Sequence, residues 1–196
     1  MLGIKSVCED ELQPQIAVII PFFQRKPGIL ARALASVEAQ TAIEVGRLQV
    51  IVVDDGSPVP AAHEAEEAGQ RLQISVLQRG NGGPGAARNL ALDHVQPETQ
   101  YVAFLDSDDV WEPDHLSTAI GTLEASAATF FFGNFFQLGA REPAFQRGGR
   151  LDLKEHLRVF GDDGYAYHGD MAVQILNGHV IGTPTVVYRY DRHPRL

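Results

Sequence analysis

The chain has 196 residues, 44% hydrophobic and 21% charged, which suits one globular domain with a real core and excludes a disordered chain. Its formal net charge of −9 speaks against nucleic acid as the main partner, since a phosphate backbone needs a basic face, but not against a nucleotide with its few phosphates. The single cysteine, Cys8, excludes an internal disulfide, no run approaches the roughly 18 apolar residues of a membrane span, and no signal peptide opens the chain, so it reads as cytoplasmic, with attachment to the inner face of a membrane left open.

Ile16 to Pro21 is a near-continuous apolar run, the pattern of a strand buried on both faces. Ile29 to Gln40 places Leu30, Leu34 and Val37 at helical spacing after Pro27-Gly28. Leu48 to Val53 predicts a second buried strand ending in the turn Asp54-Asp55-Gly56-Ser57-Pro58. The polar, alanine-rich stretch from Pro60 to Leu72 reads as a surface helix, and Ile74 to Leu77 as a third strand. After the glycine-rich loop Gly80 to Gly85 come a helix over Ala86 to Val95, a strand over Tyr101 to Leu105, and a helix over Pro113 to Ala127. This alternation implies right-handed crossovers and an α/β fold with a parallel sheet. Beyond residue 128 the pattern changes. Phe130, Phe131, Phe132, Phe135 and Phe136 read mostly as buried strand residues, Leu151 to Phe160 as a short helix and Val180 to Tyr188 as a strand. No linker divides the chain, so residues 1–196 read as a single domain.

Two motifs carry chemistry. The fourth strand runs straight into Asp106, Asp108 and Asp109, a density of like charge that calls for a cation between the carboxylates. Aspartate oxygens are hard ligands suited to Mn2+ or Mg2+, and the tip of a strand is where open α/β sheets bind ligands. That points to a divalent cation held together with a phosphorylated substrate. Gly80-Asn81-Gly82-Gly83-Pro84-Gly85 also satisfies the dinucleotide pattern G-x-G-x-x-G, with Asp106 about 20 residues on. Against an NAD-binding Rossmann enzyme stand the two strand-helix units that precede it and Pro84, which removes an N–H from the loop.

Several fragments in order resemble the inverting family 2 glycosyltransferases: Ile19 to Arg25 their opening strand and turn, Ala33 to Thr41 the following helix, and Val52 to Ser57 their second-strand signature. Gly85-Ala86-Ala87-Arg88-Asn89 resembles their turn into a helix, and Phe104 to Asp109 with Trp111-Glu112-Pro113 resembles their D-x-D metal motif. The resemblance implies a GT-A fold, Rossmann-like and mostly parallel. Residues 14–120 would be the nucleotide-sugar half and 121–196 part of an acceptor half truncated at its C-terminus.

It further implies metal-dependent transfer of a sugar, with inversion, from a nucleotide sugar (UDP before GDP or dTDP) to a saccharide or lipid-linked hydroxyl in cell-envelope or exopolysaccharide synthesis. In that reading Asp108 holds the metal, and Asp106 is shared between ribose hydroxyls and the ion's water shell. Pro21 and Phe23 belong to the nucleotide-sugar site, Phe23 against the base where tyrosine is commoner, with Gln24 where asparagine is. Asp55 accepts the base N3–H, Asp54 fixes the turn, and Arg88 either neutralises diphosphate or braces the aspartates. Asp109 either joins them or helps the helix that follows. Inverting transfer needs a carboxylate base. Asp170 is the candidate within the chain, against one beyond Leu196, because Gly178 to Arg189 resembles the strand before the family's Glu-Asp pair. A nucleotidyltransferase and a non-catalytic nucleotide-binding module remain as alternatives.

Overall fold

Strand β1 (Ile16–Phe22) is buried along all of its 7 residues. It lies between β2 (Leu48–Asp54) and β4 (Tyr101–Phe104), parallel to both. Side chains alternate across a strand, so a strand covered on both faces must be apolar throughout. Val18, Ile20 and Phe22 join a core on one face with Leu30, Leu34, Leu116 and Leu123; Ala17 and Ile19 join another with Ile51, Val53, Ala87 and Ala91. The computed structural model describes residues 15–41, 47–68, 72–147, 156–162, 164–177 and 181–190.

With β3 (Gln73–Gln78) and β8 (Val186–Arg189) identified, the central sheet has 6 strands in the order β3-β2-β1-β4-β8-β5, where β5 is Phe130–Phe132. The first four are mutually parallel, and β8 runs antiparallel to both β4 and β5. The sheet is therefore mostly, not wholly, parallel. Helices α1 (Leu30–Glu38) and α4 (His115–Glu124) cover one face, and α3 (Pro84–Leu92) covers the other.

The short helix α2 (Ala61–Ala68) is less superficial than its composition suggests. Glu64 is 5% exposed, and its two oxygens accept the backbone N–H groups of Gly28 (2.8 Å) and Ala31 (3.0 Å). Helix α1 has no side-chain cap of its own, so a carboxylate from α2 satisfies one of its free N-terminal donors, Ala31 N–H, and ties down Gly28 just before it.

The C-terminal third departs most from expectation. The described part of the helix expected over Leu151 to Phe160 is a strand, β6 (His156–Phe160), paired antiparallel with β7 (Gly164–Tyr167); residues 151–155 lie outside the described ones. The reason is non-local: Phe160 lies against α4 where Gly121 has no side chain, and a Cβ there would sit 2.3 Å from the ring. The aromatic run is only partly buried. Phe131 packs on the core, while Phe130 is 40% exposed because β5 is an edge strand of 3 residues, and Phe136, in the loop beyond it, is 71% exposed. Of the strand expected over Val180 to Tyr188, Thr183–Thr185 form a 3-10 turn before β8, and Val180 lies outside the described residues. Among the described residues no helix is long and apolar enough to cross a membrane.

Candidate active site

The parallel strands all end on one edge of the sheet, where a cavity of about 430 Å³ opens. Pro21, Phe23 and Gln24 reach it from the end of β1, Asp55 from β2, Gly83, Pro84 and Arg88 from the start of α3, and Asp106 and Asp108 from the loop after β4. Pro21, Phe23, Asp55, Arg88, Asp106 and Asp108, far apart in the sequence, thus line one space of a size suited to a small ligand. Phe23 is 40% exposed, an unusual position for a phenylalanine and one that offers a ring face to a ligand.

The two aspartates ending β2 divide their work. Asp54 does fix the turn: it accepts the N–H of Ser57 (2.8 Å) and of Ala61 at the start of α2 (3.0 Å). Asp55 is 3% exposed and faces the glycine-rich loop. Its oxygens accept the N–H of Gly82 (3.0 and 3.1 Å) and of Gly83 (2.7 Å), and Arg79 Nε lies 2.9 Å from Oδ1. The loop amides that a dinucleotide fingerprint would offer to pyrophosphate are spent on this carboxylate. Pro84 occupies the first turn of α3, where a missing N–H costs nothing. The loop is thus a clamp between β2 and α3, and the dinucleotide reading loses its amide cradle.

Arg79 was not visible in motif terms. Strand register does expose it: Asp54 pairs with Gln78, which sets Asp55 beside Arg79 at adjacent strand tips.

The loop after β4 is braced from several directions. Arg88 forms a hydrogen-bonded ion pair with Asp106, and its guanidinium lies 5.8 Å from the centre of the Phe104 ring. The pair braces Asp106. The buried Nε of Arg88 has no partner among the described residues. Gln24 Nε2 donates to Ser107 Oγ (3.0 Å), while the Gln24 backbone exchanges hydrogen bonds with Ser57 Oγ, both 2.8 Å. Trp111 Nε1 donates to the Pro184 carbonyl (2.6 Å), and Gln40, buried just past the end of α1, grips the Glu112 carbonyl (2.8 Å) and the Leu116 N–H (2.9 Å).

Burial, then repulsion from Asp108 and Asp106, pushes the Asp109 carboxyl above its ordinary range. Asp109 does not cap α4; its N-cap residue is Asp114. Asp108 is exposed at the cavity with no hydrogen bond or ion pair among the described residues.

These residues fit a divalent ion of one kind only. Among the described residues no three His, Cys, Asp or Glu side chains converge on a point, so there is no all-protein cage. Mg2+ and similar hard ions are commonly held by one or two carboxylates plus substrate phosphates, and a free aspartate next to an engaged one matches that donor set.

Asp170 lies apart from this space. Its carboxylate accepts the N–H of Ala172 (2.8 Å) and Val173 (3.2 Å), which makes it the N-terminal cap of α5 (Met171–Asn177), and it does not line the cavity.

Comparison with known proteins bears on the family and the fold. The succinoglycan biosynthesis protein ExoW of Rhizobium meliloti (strain 1021) is 52% identical over 107 residues, which are 54% of this chain and 33% of that protein. The crystal structure of S. aureus TarS 1-349 in complex with UDP-GlcNAc superposes with a TM-score of 0.58 at 27% identity, covering 65% of this chain and 36% of that one. The mannosyltransferase PcManGT of Pyrobaculum calidifontis, in complex with GDP-Man and Mn2+, shares the fold at a TM-score of 0.54 and 22% identity, covering 61% of this chain and 35% of that one. The chain therefore spans about a third of the length of these proteins, and its fold is GT-A. The model of glycosyl transferase family 2 matches residues 17–180, and the chain belongs to that family of glycosyltransferases.

Proposed function

We propose that this domain binds a nucleoside diphosphate sugar, UDP-linked, and passes the sugar with inversion to a hydroxyl of a saccharide or lipid-linked acceptor in cell-envelope or exopolysaccharide synthesis. One observation carries the reading: Phe23, Asp55, Arg88, Asp106 and Asp108 converge on one cavity at the carboxyl edge of the sheet. Phe23 gives the base a ring to stack on, and Asp55 accepts its ring N–H. Asp106, oriented by Arg88, takes the ribose hydroxyls, with Pro21 shaping the wall behind them. Asp108, exposed and unpaired among the described residues, would hold a Mn2+ or Mg2+ ion that arrives with the diphosphate. When bound, such an ion neutralises the charge that grows on the leaving diphosphate.

Residues 14–120 would thus form the donor half, with 121–196 contributing to the acceptor side. The names of the relatives support the donor and the setting: TarS was crystallised with UDP-GlcNAc, and ExoW is a succinoglycan biosynthesis protein.

Calorimetry with UDP, GDP and NAD, each with and without Mn2+, tests the reading. UDP binding that requires the metal and weakens at least about tenfold in Asp108→Ala is expected, that being the scale of a lost charge-assisted contact. Metal-independent NAD binding, or unchanged UDP affinity in Asp108→Ala, overturns it.

A further inference from the structure

Asp55 is nearly fully buried yet lines the cavity, and it faces three donors: the N–H of Gly82, shared between both oxygens, the N–H of Gly83, and Nε of Arg79. A carboxylate offers about four lone-pair positions to these three donors, and the Gly82 N–H, split between both oxygens, is the contact that leaves one of them open to a further donor. Which oxygen that is depends on where Arg79 sits. Its backbone is tied down by a hydrogen bond to the Asp54 carbonyl (3.0 Å), and its Nε also donates to the Gly80 carbonyl (3.1 Å). The guanidinium lies across Gly82 so closely that a Cβ there would come within 2.2 Å of Nη2. Gly82 is thus the floor on which the arginine rests, and its backbone is not of the left-handed kind that excludes alanine.

We propose that Arg79 is a positioning residue for the donor's base: seated on Gly82, it holds the Asp55 carboxylate so that its open lone pair meets a ring N–H in the cavity. This rests on the reading of Asp55 as the base acceptor. It adds a residue that touches no ligand, and it makes selectivity for a ring N–H a property of the β2–β3 strand tips.

The geometry supplies two independent ways to disturb Arg79. Arg79→Gln removes the guanidinium. Gly82→Ala leaves every hydrogen-bonding group in place and displaces the arginine by contact. Calorimetry with Mn2+ compares UDP with N3-methyl-UDP, which lacks the ring N–H. In the unaltered protein UDP binds more tightly than its methylated analogue. Each variant is expected to lose about tenfold in UDP affinity, the scale of one charge-assisted hydrogen bond, while N3-methyl-UDP binds as before, and the double variant loses no more than either single one.

Equal losses for both nucleotides would mean that Arg79 merely supports the loop, and unchanged UDP affinity would mean that it does not act; either result overturns the proposal. Equal binding of the two nucleotides by the unaltered protein while Asp108→Ala still abolishes metal-dependent UDP binding removes the base-acceptor role of Asp55, and the proposal with it, but leaves the donor site standing. If Arg79→Gln fails to fold by circular dichroism, Gly82→Ala decides alone.

Discussion

His115 is stacked on Trp111, ring centroids 4.7 Å apart, and meets Phe131 edge-on at 6.2 Å. Its buried Nε2 has no partner among the described residues. Burial pulls its pKa from 6.5 down to about 4, against the smaller opposing effect of Asp114. The fold thus favours the neutral ring, so this contribution to stability is complete above pH 6.5 and is lost as the pH falls toward 4. A shift of that size is worth about 3 kcal/mol, and it falls on the helix that follows the acidic loop. His115→Phe keeps the stacking and removes the orphaned nitrogen. It should change urea-unfolding stability at pH 7 by under about 1 kcal/mol and make the loss between pH 7 and pH 4 shallower than in the parent. An equally steep acid limb in the variant would assign it to the carboxylates instead.

Asp170 gives the opposite kind of prediction. Asparagine caps helices as well as aspartate does, so Asp170→Asn should preserve folding and leave sugar transfer within about twofold. A drop of about a hundredfold or more would mark it as the catalytic base.

At the scale of elements, the acidic loop stands where it does because helices on either side of it are fastened. The buried Glu64 of α2 caps α1, and Gln40 at the far end of α1 reaches the start of α4. Glu64→Gln keeps the shape but replaces one accepting oxygen with a donor that faces a backbone N–H. It should lower stability by about 1–3 kcal/mol in denaturant unfolding, whereas the exposed neighbour Glu66→Gln should do almost nothing.

Composition hid this role, since Glu64 sits in a segment whose polarity reads as solvent-facing. Elements with a one-residue logic were legible: β1, β4 and the Val50 to Val53 stretch of β2 are apolar because both faces are covered, and the turns after β2 and β4 carry the aspartates. Elements defined by a distant partner were not. Leu151 to Phe160 has helix-compatible spacing, and nothing local to it announces that Phe160 will lie over Gly121 of α4. Arg79 was hidden for the same reason, since it matters only through the strand beside it.

Over the whole molecule these differences form a gradient. The four parallel strands share two helix-covered cores, and β1 is unexposed along its length. At the other extreme are the 133–147 loop, held largely by its own contacts through Asn134, the two-stranded β6–β7 sheet, and α5 with Val173 at 50% and Leu176 at 85% exposure. Few buried apolar contacts mean a low free energy for local opening. Amide hydrogen exchange should therefore place β1, β2 and β4 in the slowest class, opening only with global unfolding, and α5 with β6–β7 in a much faster one. Adding UDP with Mn2+ should slow exchange in the segments that line the cavity, around Phe23–Gln24 and Asp106–Asp108, because a ligand that binds only the closed form stabilises it by mass action. The same addition should leave α5 and β6–β7 unchanged, since none of their described side chains lines that cavity. Protection appearing in α5 and not at the acidic loop would move the donor site to the other end of the molecule and invert the division of labour between the two parts of the chain.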